Sequence, residues 1–231
     1  GLTEHGYGLG VVVSDFNGDS WPDIYVGNDY LANDVLWLNN RNGTFSNRVA
    51  SSVRHQSYSS MGVDAADINN DGLADIASLD MMPETNERQK MMYSFMNYER
   101  YEIERRKGYQ PSFMRNMLQL NNGVRMINNS AEPFFSEIGQ LAGIHETDWS
   151  WSVLMADFDN DGWEDIIACD YSFNSTLSSI AGSEALGINP EYKGQPVLYH
   201  NNGDGTFKNI TKEAGLYKSV FAMGSSFGDI D

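Results

Sequence analysis

Short apolar runs, four residues or fewer and rich in β-branched side chains, recur along the chain between polar stretches. Val11-Val12-Val13, Ile24-Tyr25-Val26, Ile76-Ala77-Ser78-Leu79 and Ile166-Ile167-Ala168-Cys169 are bounded by Gly, Asn and Asp. Runs of that length and composition predict strands, not helices. A second pattern repeats in register. Leu36-Trp37-Leu38-Asn39-Asn40 leads to Asn42-Gly43-Thr44-Phe45, and Leu198-Tyr199-His200-Asn201-Asn202 leads to Asp204-Gly205-Thr206-Phe207. Each predicts a strand, a glycine turn and a returning strand. Leu118-Gln119-Leu120-Asn121-Asn122-Gly123 is a third copy, with its returning strand expected at Val124-Arg125-Met126. Closing segments follow at Gly139–Ile144 and Lys212–Leu216.

Between the first two strands of each unit lies a nine-residue polar stretch. The three copies run from Asp15 to Asp23, Asp67 to Asp75 and Asp157 to Asp165, and a fourth begins at Asp229-Ile230-Asp231. Their first aspartates are spaced by 52, 90 and 72 residues. A unit of roughly 50 residues with four strands fits a propeller blade. Residues 8–57, 58–147 and 148–217 then form three blades, and 218–231 start the next. The long spacings come from two insertions. Residues 81–117 carry a stretch rich in Glu, Arg, Lys and Met, which predicts one or two helices over 84–107. Its Met91, Met92, Phe95, Met96, Tyr98 and Tyr101 are expected to pack on the strands, with a partner-binding surface as the sharper reading. Residues 171–195 are rich in Ser and Gly and predict a long loop. The fold class is therefore all-β: a partial, open fragment of a propeller with metal-binding hairpin loops and a helical insertion.

The polar stretches place oxygen side chains at loop positions 1, 3, 5 and 9, with a carbonyl available at position 7. In the first loop these are Asp15, Asn17, Asp19, Asp23 and the Trp21 carbonyl. In the second they are Asp67, Asn69, Asp71, Asp75 and the Leu73 carbonyl, and in the third Asp157, Asp159, Asp161, Asp165 and the Trp163 carbonyl. Asp229 and Asp231 open the truncated fourth. Calcium takes six to eight hard oxygen ligands, so three complete Ca2+ sites are expected, with magnesium second. No loop contains Cys or His, which disfavours zinc and copper. An EF-hand would need a Glu at position 12. That position holds Val26, Ser78 and Ala168, and strands flank the loops where an EF-hand has helices. A single copy could be a solvated Asp/Asn/Gly turn; repetition in register argues against that reading.

Charge and cysteine change the picture modestly. The formal charge is −17, and twelve of the 32 acidic residues are the loop aspartates, so much of the acidity is ligand acidity. Each bound divalent ion would remove two charges, and the remainder stays negative, which argues against nucleic acid as a partner. The one cysteine, Cys169, lies in an apolar run and reads as a buried free thiol, so cysteine usage does not fix the compartment. No stretch is long and apolar enough to span a bilayer directly. No signal peptide is visible, but Gly1 is not a start and Asp231 interrupts a motif, so the sequence reads as an internal piece of a longer protein.

Asp-x-Asn-x-Asp-x-x-x-Asp followed by Ile, together with the later Leu-x-x-Asn-Asn…Gly-Thr-Phe, resembles the FG-GAP/VCBS repeat, which builds calcium-loop propellers. Met61-Gly62-Val63-Asp64-Ala65-Ala66-Asp67 and Leu79-Asp80-Met81-Met82-Pro83 are similar to the ASPIC/UnbV-type bacterial surface proteins, notably those of Bacteroidota; integrin α-chain propellers are more distant. The resemblance implies a seven-bladed propeller, export, and a place outside the cell or at its surface, attached to the outer membrane by lipoprotein anchoring. It also implies a non-enzymatic binding or scaffold role, with surface proteins or glycans as partners, among them SusC/SusD-type outer-membrane complexes. An RNA-binding role has been tied to the ASPIC/UnbV name; the acidic balance argues against it. The candidate ligand face comprises the loops before each inner strand, with His5, His55, His145, Trp149 and Trp151, and with Tyr7, Tyr58 and Tyr217 nearby. These residues could equally cap the blades. Two rivals remain: a polysaccharide lyase or hydrolase on a calcium propeller, and a purely structural repeat of a large adhesin. Glu137, Glu146 and Glu164 are scattered, so paired carboxylates do not support the first of these.

Overall fold

The structure, a computed structural model, describes residues 4–30, 32–92, 98–128, 130–170, 195–218, 222 and 224–228. β1 (Tyr7–Ser14), β2 (Asp23–Asp29), β3 (Val35–Asn39) and β4 (Phe45–Asn47) form an antiparallel meander. The short helix α1 (Val49–Ser52) and the two-residue strand β5 (Gln56–Ser57) lead away from it. β6 (Val63–Ala66) and β7 (Asp75–Ser78) open the second sheet. The helices α2 (Asn86–Met92) and α3 (Tyr98–Arg106) and the strand β8 (Ser112–Phe113) interrupt it. β9 (Met117–Ile127) and β10 (Ser130–Glu137) complete it, and α4 (Gly139–Ala142) closes it. The third sheet is β11 (Ser150–Ala156), β12 (Asp165–Asp170), β13 (Val197–Asn201) and β14 (Phe207–Asn209). Three four-stranded meanders placed side by side are blades of an all-β partial propeller.

Alternation along each strand sends one set of side chains to each neighbour. Phe16, Tyr25, Leu36, Leu38, Val49 and Val53 of the first blade meet Ile76 and Phe135 of the second. On its other face the second blade gives Ile68, Ala77, Leu79, Leu118 and Ile144 to a core shared with Val153, Met155, Ile166 and Tyr199 of the third. Among the described residues, the far face of the first blade has no such cover. Leu9, Val11 and Val13, two apart along β1, are 46–64% exposed, as on a blade face with no neighbour.

The innermost strands are β1, β6 and β11, with β6 touching both others. Their approach is close where Gly62 faces β11. A Cβ there would lie 2.7 Å from the Trp151 carbonyl oxygen and 3.0 Å from the Ser152 Cα. Both obstacles are backbone, so no side-chain rotation relieves them.

The expectation for the third hairpin is corrected. Asn121-Asn122-Gly123 does not turn the chain. Asn121 pairs with Phe135, just as Asn39 pairs with Phe45 and Asn201 with Phe207. The returning phenylalanine is therefore Phe135, and β9 runs past a bulge at Gly123 (φ +82°) to reverse only after Ile127. A positive φ at glycine is the usual way a strand admits such an extra residue.

The helices fall within the predicted insertion, but Tyr98 is 76% exposed and α3 has no buried residue, so its apolar side chains do not all pack. Tyr101 does lie near Phe113, with ring centroids 6.2 Å apart. Among the described residues, polar contacts join the insertion to both flanking blades. Asn33 and Gln110 exchange hydrogen bonds, and the Arg100 guanidinium stacks over Tyr58 at 4.7 Å. On the other side Arg88 donates to both oxygens of buried Asp148 at 2.5 and 2.8 Å. Phe95 and Met96, and the insertion 171–194, lie outside the described residues. Cys169 is a buried free thiol, and burial pushes its pKa up.

At the far end of the second strands, Asp34 and Asp80 are fully buried. Asp80 accepts hydrogen bonds from Ser57 Oγ, the Tyr58, Ser59 and Met81 amides. Burial pushes its pKa up to about 7 and that of Asp34 up to about 6. A carboxyl group whose folded pKa is raised stabilises the fold most when protonated, and that contribution fades as pH rises through the folded value.

Gly62→Ala is expected to cost about 1–3 kcal/mol in urea unfolding, the range of overpacked core sites. Between pH 4 and pH 7 the wild-type chain is expected to lose more unfolding free energy than Asp80→Asn does, as measured by parallel urea titrations.

Candidate metal centre

Each polar loop joins the first two strands of a blade, and its backbone folds around its own carboxylates. The first aspartate accepts two amides across the loop. Asp15 takes Asp19 N at 3.0 Å and Ser20 N at 2.6 Å. Asp67 takes Asp71 N at 3.1 Å and Gly72 N at 2.7 Å. Asp157 takes Asp161 N at 3.1 Å and Gly162 N at 2.9 Å. The position-5 carboxylates, Asp19, Asp71 and Asp161, each accept the position-7 amide of Trp21, Leu73 or Trp163 at 2.9 Å. Asn17 and Asn69 also accept the position-5 amides, at 3.1 and 3.3 Å.

These bonds need left-handed backbone at two points per loop. Positions 4 and 6 have φ of +70° and +66° at Gly18 and Ser20, +58° and +86° at Asn70 and Gly72, and +58° and +90° at Asn160 and Gly162. Gly and Asn accept that region readily, whereas Ser20 holds it against the Cβ penalty.

The ninth residue roots each loop. Asp23 accepts Phe16 N from the loop at 3.2 Å and Asn39 N from the third strand at 2.8 Å. Asp75 does the same with Ile68 N at 3.0 Å and Asn121 N at 2.7 Å. Asp165 accepts Asn201 N at 2.9 Å. All three are buried. Burial, with neighbouring carboxylates adding to it, pushes Asp23 up to about 6 and Asp75 up to about 7, and raises Asp165. Hydrogen bonds alone do not offset the buried negative charge; a cation beside the loop would.

The loops are also tied across blades. Asn121 Nδ2 donates to Ala74 O of its own loop and to Phe16 O of the preceding one, at 3.1 and 3.0 Å. Asn201 Nδ2 repeats this with Glu164 O at 3.0 Å and Ile68 O at 2.8 Å. Asn70 Nδ2 reaches Gly162 O of the next loop at 2.8 Å.

The third loop differs from the others. His200, from β13, directs Nδ1 to 3.2 Å from Asp159 Oδ2 and 3.3 Å from Asp165 Oδ1. Asp159, Asp161 and His200 bring their donor atoms within 4.8 Å of one another, a group that could hold a metal ion. The third loop itself holds no histidine, but β13 brings one to its edge. His200 is 35 residues from Asp165, so no loop motif contains it. The signal available was its place in the repeat, which is leucine in the other two copies (Leu38 and Leu120).

The candidate ligand-face residues have separate surroundings. His5 lines an open cleft of about 780 Å³ with Tyr7, Tyr30, Asn33 and Tyr109. His55 meets Phe113 edge-on, ring centroids 5.5 Å apart. His145 lies 3.5 Å from Glu146 Oε2. Trp149 and Trp151 are half-buried at the start of the third blade, and Tyr58 is buried. Among the described residues, the metal-competent group does not include His5, His55 or His145. Asp229 and Asp231 lie outside the described residues.

Residues 15–78 match the FG-GAP-like repeat, a span that runs from the first residue of one polar loop to the end of the strand leaving the next. No curated protein matches the chain. Among the described residues no helix is long and apolar enough to cross a membrane.

Asn201→Ala would strip two carbonyls in adjacent blades of their side-chain donor. It is expected to lower unfolding free energy by about 2–6 kcal/mol, at about 1–3 kcal/mol for each unsatisfied buried group, read by chemical denaturation.

Proposed function

We propose that this chain is a calcium-stabilised propeller module whose role is binding or assembly at the cell surface or beyond it, not catalysis. The observation that carries this reading is the buried ninth aspartate of each loop. It stands beside three further oxygen side chains, on a backbone already bent to hold them. In the first loop the donors are Asp15, Asn17, Asp19, Asp23 and the Trp21 carbonyl, with counterparts in the other two. Their hardness and number suit Ca2+ better than Mg2+, which demands a tighter octahedron and keeps more of its waters. Millimolar calcium outside cells would keep such loops filled and the strand pairs pinned.

The match to the FG-GAP-like repeat supports an extracellular setting. Surface proteins or glycans are the partner classes that suit it, and an ASPIC/UnbV-type outer-membrane protein is the finer reading. The loops before the inner strands, with His5 in its tyrosine-lined cleft, offer the surface where such a partner would sit.

Calcium at a hundredfold excess over Kd is expected to add about 2.7 kcal/mol per occupied loop. Melting temperature should then rise by about 2–4 °C per kcal/mol in a chain of this size. Scanning calorimetry of the chain in EDTA and in millimolar calcium checks this; superimposable melting curves would rule the reading out.

A further inference from the structure

We propose that the third loop is a mixed nitrogen–oxygen site that takes a borderline first-row divalent ion of the zinc class, with His200 as a direct ligand. The inference rests on the reading that the loops hold divalent cations, and it separates one loop from its two sisters.

Three observations carry it. First, His200 Nδ1 is 3.2 Å from Asp159 Oδ2 and 3.3 Å from Asp165 Oδ1. Neighbouring ligands on one ion with bonds of about 2.0–2.2 Å sit about 3 Å apart, so the imidazole nitrogen already stands at about that distance from each of these oxygens. Asp161 closes the group, its oxygen lying 3.9 Å from the other ring nitrogen. Second, Nδ1 is shielded from solvent and has no hydrogen-bond partner, although the ring as a whole is 26% exposed. A shielded nitrogen turned toward carboxylates, when deprotonated, presents its lone pair to a cation lying between them. Third, the sister loops lack this donor. Leu38 and Leu120 stand at the equivalent places, next to Asn39 and Asn121, and pack into the cores between blades.

The chemistry follows from ligand type. Carboxylate and carbonyl oxygens alone select calcium, magnesium or manganese, whereas an imidazole shifts preference toward zinc, cobalt, nickel and copper. Asp159 and His200 would supply one oxygen and one nitrogen. Asp161 brings the set to three protein side chains, which leaves the fourth position of a tetrahedral zinc site for water.

Cobalt(II), a spectroscopic stand-in for zinc, and zinc itself are titrated into the full chain and into His200→Leu, which installs the residue of the sister blades. Wild type is expected to bind one cobalt ion with visible bands of nitrogen ligation. His200→Leu should lose those bands and weaken cobalt and zinc binding by about tenfold or more, with calcium binding at the remaining loops unchanged. Because His5, His55 and His145 could hold zinc weakly, ring-nitrogen NMR of the wild-type chain follows each imidazole separately, and this also serves if the variant does not fold. A large zinc-induced shift at His200 Nδ1 supports the assignment. Zinc or cobalt bound without perturbing His200, or not bound at all, overturns it. Calcium filling all three loops in that case leaves the proposed function standing, whereas loops that take no divalent ion remove both.

Discussion

A carboxylate buried at the root of each polar loop is the constraint on which the blades depend. Asp23, Asp75 and Asp165 each begin a second strand and accept an amide from the third strand. Asp23 and Asp75 also accept an amide from their own loop. One side chain therefore fixes where the loop ends, where the strand starts and how the third strand is registered. Placing that charge out of water is costly unless something positive compensates it. The loop aspartates around it sharpen the need, since like charges at short range repel in a medium of low dielectric. Structure and ion demand thus have one origin, and a blade that keeps its register has to keep its acidic corner.

The apolar cores answer a separate requirement. A four-stranded meander buries little by itself, so each blade must lay both faces against neighbours. Phe16 and Ile68, at the second position of successive loops, reach forward into the next core. The loops consequently bring metal chemistry and blade packing into the same few residues. The insertion after β7 adds a clasp of another kind. Asn33–Gln110 on one side and Arg88–Asp148 on the other are polar contacts that hold three successive blades without lengthening any sheet.

Much of this was readable from the chain because repetition made local signals additive. Short β-branched apolar runs flanked by Asp and Gly placed the strands, and three copies of one loop placed the corners. The Gly-Thr-Phe turns after Asn39 and Asn201 were equally plain. What escaped had no local signature. The second blade moves its returning phenylalanine to Phe135, because a glycine bulge lets β9 continue where the other blades turn. Tyr98 looked like a packing residue by type but lies exposed on α3, whose short helix is anchored instead by Arg100. His200 enters the third loop from a different strand, a relation fixed by sheet register and invisible to motif spacing.

The asparagine amides that cross from blade to blade have a further consequence. Asn121 grips the first loop while belonging to the second blade, Asn201 grips the second loop while belonging to the third, and Asn70 ties the second loop forward to the third. Gly18, at the position of Asn70, has no side chain to make the corresponding tie. The array is thus a line of nearest-neighbour couplings of unequal strength. Disorder begun at one corner would travel more readily between the second and third units than between the first and second, giving the wheel a preferred seam along which to come apart.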